Sequence, residues 1–420
     1  MCPSSTTSSE VPGDPSGKTG AIDAGASDGL VALPEVPQQG RDQRRVRWIV
    51  SLFVVLTAGT GLIDLLWPIE KPRLLGWERR QRQVLEETAR WADGSKARWV
   101  ENEIKTRSRV RQWVLPPYAL GLYQGLREVR GDLVVGREGW LFLRSRVTPR
   151  AEEDPAIVQH SLDLMSAIQA RIAARGSRLV WIPIPRKGLF EEDRLPPGIE
   201  PRARLDHLLI DQAHRRGLDV VDLLPLLTQR ATTGEAPYFR ADSHWTLDTV
   251  VASAEEIARQ LDLWKPPEER RTLLDDQLTT PPRFDLLRYL GVRPSTETLR
   301  WLTPERATAY RVLLPEGEPL RRLQPWKSKT ELALVGTSFS DLSGLVSFVE
   351  HYTQVRTLDA SKAGNHPFHQ LRNFVKRRDE LGLPLPPTIL FEVPNHLFFE
   401  EASLDKISPE STIPDPPPAP

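Results

Sequence analysis

Cysteine is almost absent from this chain of 420 residues, and the only one is Cys2. A single thiol excludes an intrachain disulfide and a zinc site built from several cysteines, but it does not distinguish cytosol from periplasm. Net charge is absent as well, because 56 lysines and arginines balance 56 acidic residues. Since the chain has no global basic charge, we expect no nucleic-acid partner.

Long apolar runs are also scarce, but one stands out. Residues 48–67, WIVSLFVVLTAGTGLIDLLW, match the roughly 20 apolar residues that cross a bilayer, with a tryptophan at each end. A cleaved signal peptide would have a shorter run and a small-residue cleavage site. We therefore expect an uncleaved single-pass transmembrane anchor at 47–67 rather than a buried core helix. Basic residues flank both sides, so charge leaves its orientation open.

The rest of the chain divides by composition. Residues 1–46 are rich in Ser, Gly, Pro and Ala, which predicts a disordered tail, and 401–420 form a second, proline-rich tail. Residues 68–130 carry tryptophans among dense charge and are predicted to be a helical linker region. The stretch 264–330 is proline-rich without a clear period and is predicted to be an irregular insertion in a domain that covers 131–400.

Within 131–400, short apolar runs alternate with helical periods. GDLVVGREGWLFLRS (131–145) predicts a hairpin, and SRLVWIPIP, LDVVDLL, ELALVG, QVRTLD and PTILFEV predict strands that are separated by helices. Such alternation indicates an α/β fold in which helices flank a parallel sheet. Ligands of such sheets bind at the carboxyl ends of the strands.

A candidate nucleophile follows one of these strands. In ELALVGTSFSD (331–341), the strand ends at Val335 and Ser338 opens a helix, whose free backbone N–H groups could hold an oxyanion. The alternative is that Ser338 or Ser340 caps the helix.

A candidate base lies in YFRADSHWTLDTV (238–250), where Asp242 and His244 precede a helix that begins near Leu247. Asp242 can orient the imidazole only if the chain curls between them, which a loop permits. The alternative is that Asp242 caps the helix. The residues themselves leave both alternatives open.

Four motifs in order resemble the alginate O-acetyltransferase family of the AlgJ/AlgX type. They are VVGREGWLFL (134–143), IPIPRKGLF (182–190), RADSHWT (240–246) and GTSFSD (336–341), and the resemblance covers roughly 78–400. The family is similar to SGNH hydrolases with a permuted motif order, in which Asp and His precede Ser. This sequence has that order.

The resemblance implies that Ser338 is the acyl nucleophile, His244 the general base and Asp242 the residue that orients it. It also suggests Asn365, Lys187 and Thr337 as substrate-binding or oxyanion residues, and it implies no cofactor. The sequence departs from the family at KAGNHPFHQL (362–371), where Phe368 lies near the place of a tyrosine. It also departs at the end of a strand, where the family has Glu-x-Pro-x-Arg and this chain has Glu392-Val393-Pro394-Asn395-His396.

For the whole protein, the resemblance implies a periplasmic O-acetyltransferase in the inner membrane, with residues 1–46 in the cytoplasm. Its substrate would be an exported, alginate-like polysaccharide, and its acetyl supplier a polytopic membrane O-acyltransferase. Two alternatives stay open: a carbohydrate esterase of SGNH type, and a polysaccharide-binding or assembly scaffold without catalysis. His366 and His369, with Asp242 and His244, could be drawn as a metal site, but no metal-binding motif supports it and we predict no metal.

Overall fold

A computed structural model describes residues 39–66, 94–126, 129, 132–147, 155–199, 203–266, 273–276, 285–286, 309–312, 323, 329–399, 408–409 and 413. The predicted tails therefore lie mostly outside the described residues, as do most of the predicted linker segment 68–93 and most of the proline-rich stretch 264–330.

The N-terminal apolar run lies in one helix, α1 (Gln39–Leu66), which begins inside the predicted tail. Large apolar side chains such as Trp48 and Leu66 are exposed on it. Over the part of the chain that is described, no helix is both long enough and apolar enough to cross a membrane. The anchor at 47–67 is therefore not supported by the structure and stays a prediction from the sequence. Helices α2 (Ser95–Arg107) and α3 (Arg109–Gly121) follow in the predicted linker region.

The chain divides into two compact units, Met1–Leu62 and Ile63–Pro420, and the centre of the second is a sheet of four parallel strands. These are β3 (Arg178–Ile184), β6 (Leu332–Val335), β7 (Thr357–Asp359) and β8 (Thr388–Pro394). Their order is β3-β8-β6-β7, so the last strand in the chain lies between the first and the second. This confirms the predicted α/β class with a parallel sheet.

Helices cover both faces of this sheet. Side chains of successive strand residues point to opposite faces, so each strand packs against helices on both sides. Leu179 and Trp181 pack on one face against helices α5 (Pro155–Ala173), α7 (Ala203–Arg215) and α12 (Pro367–Glu380). Val180 and Ile182 pack on the other face against α8 (Leu224–Thr232), α9 (Leu247–Gln260) and α11 (Leu345–Thr353).

Two small antiparallel ladders lie beside the main sheet. Strands β1 (Leu133–Val135) and β2 (Leu141–Leu143) pair as the predicted hairpin, and the short helix α4 (Arg144–Val147) follows. Strands β4 (Leu273–Asp276) and β5 (Ala309–Val312) also pair. The prediction that 264–330 is irregular is therefore wrong for these two segments.

Two further expectations need correction. LDVVDLL forms no strand: the backbones of Asp219 and Val221 make one hydrogen bond each to Trp181 of β3, and the chain then turns into α8. The C-terminal segment is docked at one point, because Ile413 is fully buried in the core and its carbonyl accepts a hydrogen bond from Arg171 Nε at 2.9 Å. A disordered tail would make no such contact.

Candidate active site

Ser338 lies at the carboxyl end of the central strand β6. After β6 the chain passes through Gly336 and Thr337 and starts the short helix α10 (Ser338–Asp341). Thr337 is the N-cap of this helix, because its side chain accepts a hydrogen bond from the backbone N–H of Phe339. Ser338 is partly exposed. The capping alternative for Ser338 is therefore wrong, and its hydroxyl is available for another role.

Asp242 and His244 lie in a curled loop before α9. Tyr238 and Trp245 form an antiparallel bridge at the base of the loop. Within it, Asp242 Oδ1 accepts a hydrogen bond from the backbone N–H of His244 at 3.0 Å, which is an Asx turn. The N-cap of α9 is Thr246, which accepts from Thr249 N–H. Asp242 is therefore not the N-cap of α9, and the capping alternative for Asp242 is wrong.

The three side chains form one line of hydrogen bonds. Asp242 Oδ1 lies 2.6 Å from His244 Nδ1, and His244 Nε2 lies 2.8 Å from Ser338 Oγ. A carboxylate at Nδ1 places the proton there, which leaves Nε2 as an acceptor for the serine proton. The structure thus brings together the three residues that the sequence suggested, in an arrangement that can activate a serine.

Burial and mutual attraction together shift the pKa values of His244 and Asp242. Burial alone would lower the pKa of His244, but its hydrogen bond to Asp242 and the nearby negative charges outweigh burial and raise that pKa. Burial alone would raise the pKa of Asp242, but the hydrogen bonds and charge of His244 outweigh it and hold that pKa well below its usual range. Asp242 is therefore ionised whenever His244 is a functioning base.

Aromatic contacts join the loop to the nucleophile turn. Trp245 Nε1 donates to the carbonyl of Phe339 at 3.1 Å, and the His244 and Phe339 rings lie 4.8 Å apart. Trp245 is buried, so its N–H must find a partner in the protein. This contact joins the residue after the base to the residue after the nucleophile.

A buried acid, Glu392, supports the nucleophile turn from β8. Its carboxylate accepts from Thr337 N–H at 2.7 Å, from Thr337 Oγ1 at 2.8 Å and from Ser340 Oγ at 2.9 Å. Burial raises the pKa of Glu392, and these hydrogen bonds oppose the rise. The family motifs point to no role for Glu392, although an acid in the apolar strand PTILFEV is a usable signal in the sequence.

Lys187 opens the short helix α6 (Lys187–Phe190), and its ammonium is used within the protein rather than for a substrate. Its ammonium donates to three backbone carbonyls, those of Leu141, Arg240 and Asp242, at 2.8, 2.9 and 3.1 Å. It also lies 4.9 Å from the centre of the Trp140 ring. These three bonds use the three donors of a lysine, so Lys187 joins the hairpin to the loop that carries Asp242.

The other two suggested oxyanion residues also have partners within the protein. The backbone N–H and hydroxyl of Thr337 both donate to Glu392, so neither points to an oxyanion in this structure. Asn365 Nδ2 donates to Gln370 Oε1 at 2.9 Å. Sequence alone gives no information on whether such donors are already used.

Positions that depart from the family motifs are structural. Phe368 is fully buried, and its ring packs 5.5 Å from that of Phe391. Asn395, directly after β8, donates to Asp206 Oδ1 at 2.7 Å. Asp206 also pairs with Arg186 at 2.8 Å, and both charges are buried. These contacts join the ends of β3 and β8 to α7.

A second acid, Asp285, reaches the site from the proline-rich stretch and was missed, because nothing in the sequence around it indicates a role. With Asp242 and His244 it forms a group whose possible ligand atoms lie within 4.8 Å of one another. In the described part of the chain this is the one such group, and it contains neither His366 nor His369. The metal site drawn from the sequence is therefore not assembled.

One family model and two relatives from Pseudomonas match this chain. The model of the family described as "SGNH hydrolase-like domain, acetyltransferase AlgX" matches residues 133–395. The probable alginate O-acetylase AlgJ of Pseudomonas fluorescens is 27% identical over 281 residues, which cover 65% of this chain and 70% of that protein. Its namesake in Pseudomonas aeruginosa is 30% identical over 235 residues, which cover 52% of this chain and 58% of that protein.

The fold is also found among solved structures. The O-acetyltransferase domain of Pseudomonas putida AlgJ superposes with a TM-score of 0.52 at 19% identity, over 67% of this chain and 98% of that domain. At this identity the likeness shows the fold alone.

Proposed function

Since the chain belongs to the family of AlgX-type acetyltransferases with an SGNH hydrolase-like domain, we propose that this O-acetyltransferase modifies hydroxyl groups of an exported, alginate-like polysaccharide. The observation that carries the proposal is the line of hydrogen bonds from Asp242 through His244 to Ser338. The names of the similar proteins, alginate O-acetylases, supply the class of acceptor.

The first half-reaction would form an acetyl-serine. Ser338 Oγ attacks the carbonyl carbon of the acetyl donor while His244 Nε2 takes the hydroxyl proton. The tetrahedral intermediate collapses as the imidazolium gives this proton to the leaving oxygen of the donor. Ser338 is the first residue of α10, so its backbone N–H precedes the first bond within that helix and is a candidate oxyanion donor.

The second half-reaction would reverse these roles. A sugar hydroxyl attacks the acetyl-serine carbonyl, and His244 takes the sugar proton. It then returns that proton to Ser338 Oγ as the ester breaks. The same site with water as the acceptor would release acetate, which is the esterase alternative.

We further propose that the apolar segment 48–67 anchors the chain in the inner membrane, with 1–46 in the cytoplasm and the catalytic domain in the periplasm. The length of the apolar run supports this, and the polysaccharide acceptor requires the site to lie on the side of export. A polytopic membrane O-acyltransferase would then supply the acetyl group, because acetyl-CoA is confined to the cytoplasm.

The experiment uses the purified full-length chain. We would incubate it with a chromogenic acetyl ester, map the adduct by mass spectrometry, and then add uronate and neutral oligosaccharides as acceptors. We expect an acetyl group on Ser338 that moves to the uronate sugar. Ser347→Ala removes a hydroxyl from the sheet-covering helix α11 instead and should behave as the wild type.

Three results would contradict the proposal. Acetate release without any acetylated sugar would favour the esterase, and an adduct on a residue other than Ser338 would remove the nucleophile. Failure to form any adduct in the wild type would support the scaffold alternative.

A further inference from the structure

A second carboxylate lies beside the triad. Asp285 Oδ2 is 3.6 Å from His244 Nδ1, the same ring nitrogen that Asp242 Oδ1 contacts at 2.6 Å. The triad of the proposed mechanism needs one acid at this nitrogen. The imidazole of this protein therefore has two acids at one edge, and only one of them makes the short contact.

Asp285 is held in place by the loop that carries Asp242 and His244. Its Oδ1 accepts from the backbone N–H of Ser243 at 2.7 Å, its other oxygen accepts from the Ser243 hydroxyl, and its own backbone N–H donates to Asp242 Oδ2 at 3.1 Å. Asp242 Oδ1 is engaged by His244, so the bond from Asp285 occupies the other oxygen. Both oxygens of Asp242 thus have partners.

The next residue fixes this segment by apolar contact. Leu286 is fully buried in a cluster with Ala241, Leu133 and Leu141. Ala241 directly precedes Asp242, so Leu286 packs beside the same loop that Asp285 binds. Asp285 thus contributes hydrogen bonds to the loop and Leu286 contributes apolar packing, which together support a rigid site.

The charges around the imidazole differ in sign. Asp242 and Asp285 raise the pKa of His244, and Arg146 on α4 lowers it. Burial, followed by the charge of Asp242, raises the pKa of Asp285 itself, whereas His244 and the two hydrogen bonds from Ser243 favour its charged form and oppose the rise. The attack of a serine converts the neutral imidazole to an imidazolium, and negative charge held near Nδ1 stabilises that state.

We propose that Asp285 is a positioning residue for the triad: it fixes Oδ2 of Asp242 and the backbone of Ser243, and it adds a second negative charge that stabilises the imidazolium of His244. This inference rests on the proposed function, in which His244 acts as a base.

The test compares three variants of the full-length chain. Asp285→Asn keeps an oxygen that can accept from Ser243 but loses the charge, whereas Asp285→Glu keeps the charge. Asp211→Asn removes the same charge from an exposed pair on α7. For each, we would titrate the His244 imidazole by NMR, using His244→Gln to assign its signal, and measure kcat and KM for the acetyl ester across pH.

For Asp285→Asn we expect the pKa of His244 to fall, because a negative charge near it is lost. His244 is a base only when neutral, so the acid limb of kcat should move to lower pH. The plateau of kcat should fall by about 10- to 100-fold with KM unchanged, because the imidazolium is less stabilised and the loop is less well fixed. Asp285→Glu should retain the position of the acid limb, and Asp211→Asn should match the wild type.

Several results would overturn the inference. One is an unchanged His244 titration and kcat in Asp285→Asn. Another is a loss in Asp285→Glu as large as in Asp285→Asn, with the same shift of the acid limb. If a metal chelator abolished activity and added Zn²⁺ or Ca²⁺ restored it, Asp242, His244 and Asp285 would form a cation site instead. The NMR titration measures the pKa of His244 even if the wild type proves inactive. Failure of the proposed function can therefore be distinguished from failure of the role proposed for Asp285.

Discussion

Asp242 has two effects on one histidine at the residue scale. Its Oδ1 accepts from the backbone N–H of His244, which curls the loop, and from Nδ1 of the same residue, which fixes the ring. The local turn and the catalytic geometry therefore depend on one oxygen. Replacing Asp242 would disturb both the path of the loop and the tautomer of the imidazole.

This geometry leads to a prediction for the triad variants. Ser338→Ala and His244→Ala should each lower acetyl transfer by several orders of magnitude, and Asp242→Ala by somewhat less, since its role is orientation and charge stabilisation. The three losses should not add, because the residues act as one unit. Initial rates and acetyl-enzyme yield on single and double variants measure this, with melting temperatures to verify folding.

The triad interpretation would fail if His244→Ala retained full activity. It would also fail if the double variant of Ser338 and His244 lost the product of the two single losses, because that would mean that the residues act independently.

The three residues of this line could be proposed from sequence, because the strand-end rule points to Ser338 and the resemblance to the family motifs points to Asp242 and His244. The other suggested residues could not be judged in the same way. Lys187 and Thr337 have the right chemistry, but their donors are taken by carbonyls and by Glu392, which come from distant parts of the chain. Asp285 lies in a stretch without a period, so only its folded position reveals it.

The turn between β6 and α10 is the critical element for the nucleophile. A Cβ on Gly336 would lie 2.5 Å from Glu392 Oε2 and 2.9 Å from Ser340 Oγ. Real Cβ atoms do not approach so closely, and both neighbours belong to the buried hydrogen-bond network. The glycine therefore allows an acid on β8 to reach the backbone before Ser338.

Gly336→Ala should for this reason destabilise the fold and lower activity together. We expect a loss of about 1–3 kcal/mol in the free energy of unfolding, as for overpacking of a filled interior. Urea denaturation followed by tryptophan fluorescence would measure it. Gly121→Ala is the matched control, because an added Cβ there meets nothing within 4 Å and should cost little stability.

An unchanged urea midpoint and an unchanged rate in Gly336→Ala would show that the turn can move away from Glu392. The hydrogen bonds of Glu392 to Thr337 and Ser340 would then have no fixed geometry, and they could not be what holds Ser338 in position.

Elements were predictable where local pattern and tertiary pairing agree. The apolar runs that became β3, β6, β7 and β8 carry their own signal. LDVVDLL carries the same signal, but its backbone bonds to strand β3 are limited to Trp181, and Asp222 Oδ1 accepts from Leu224 N–H to start a helix. A strand needs a partner along its length, and the sequence does not show which segments have one.

At the scale of the whole molecule, the strand order places the site. β8 is last in the chain but lies between β3 and β6, which brings Glu392 beside Gly336 and Asn395 beside the end of β3. An order set by pairing across about 200 residues cannot be deduced from local periodicity. The α/β class could be predicted, and the neighbours of each strand could not.

The side of the membrane on which this molecule works is a property of the whole chain. An exported polysaccharide can meet Ser338 only if the domain after the apolar segment 48–67 lies outside the cytoplasm. We therefore expect alkaline phosphatase fused after residue 75 to be active in cells, because its disulfides form only in an oxidising compartment. A fluorescent protein that folds only in the cytoplasm should be dark at the same site. Deleting 48–67 should reverse both readouts, and a cytoplasmic signal from the intact chain would place enzyme and acceptor on opposite sides, which would remove the polysaccharide assignment.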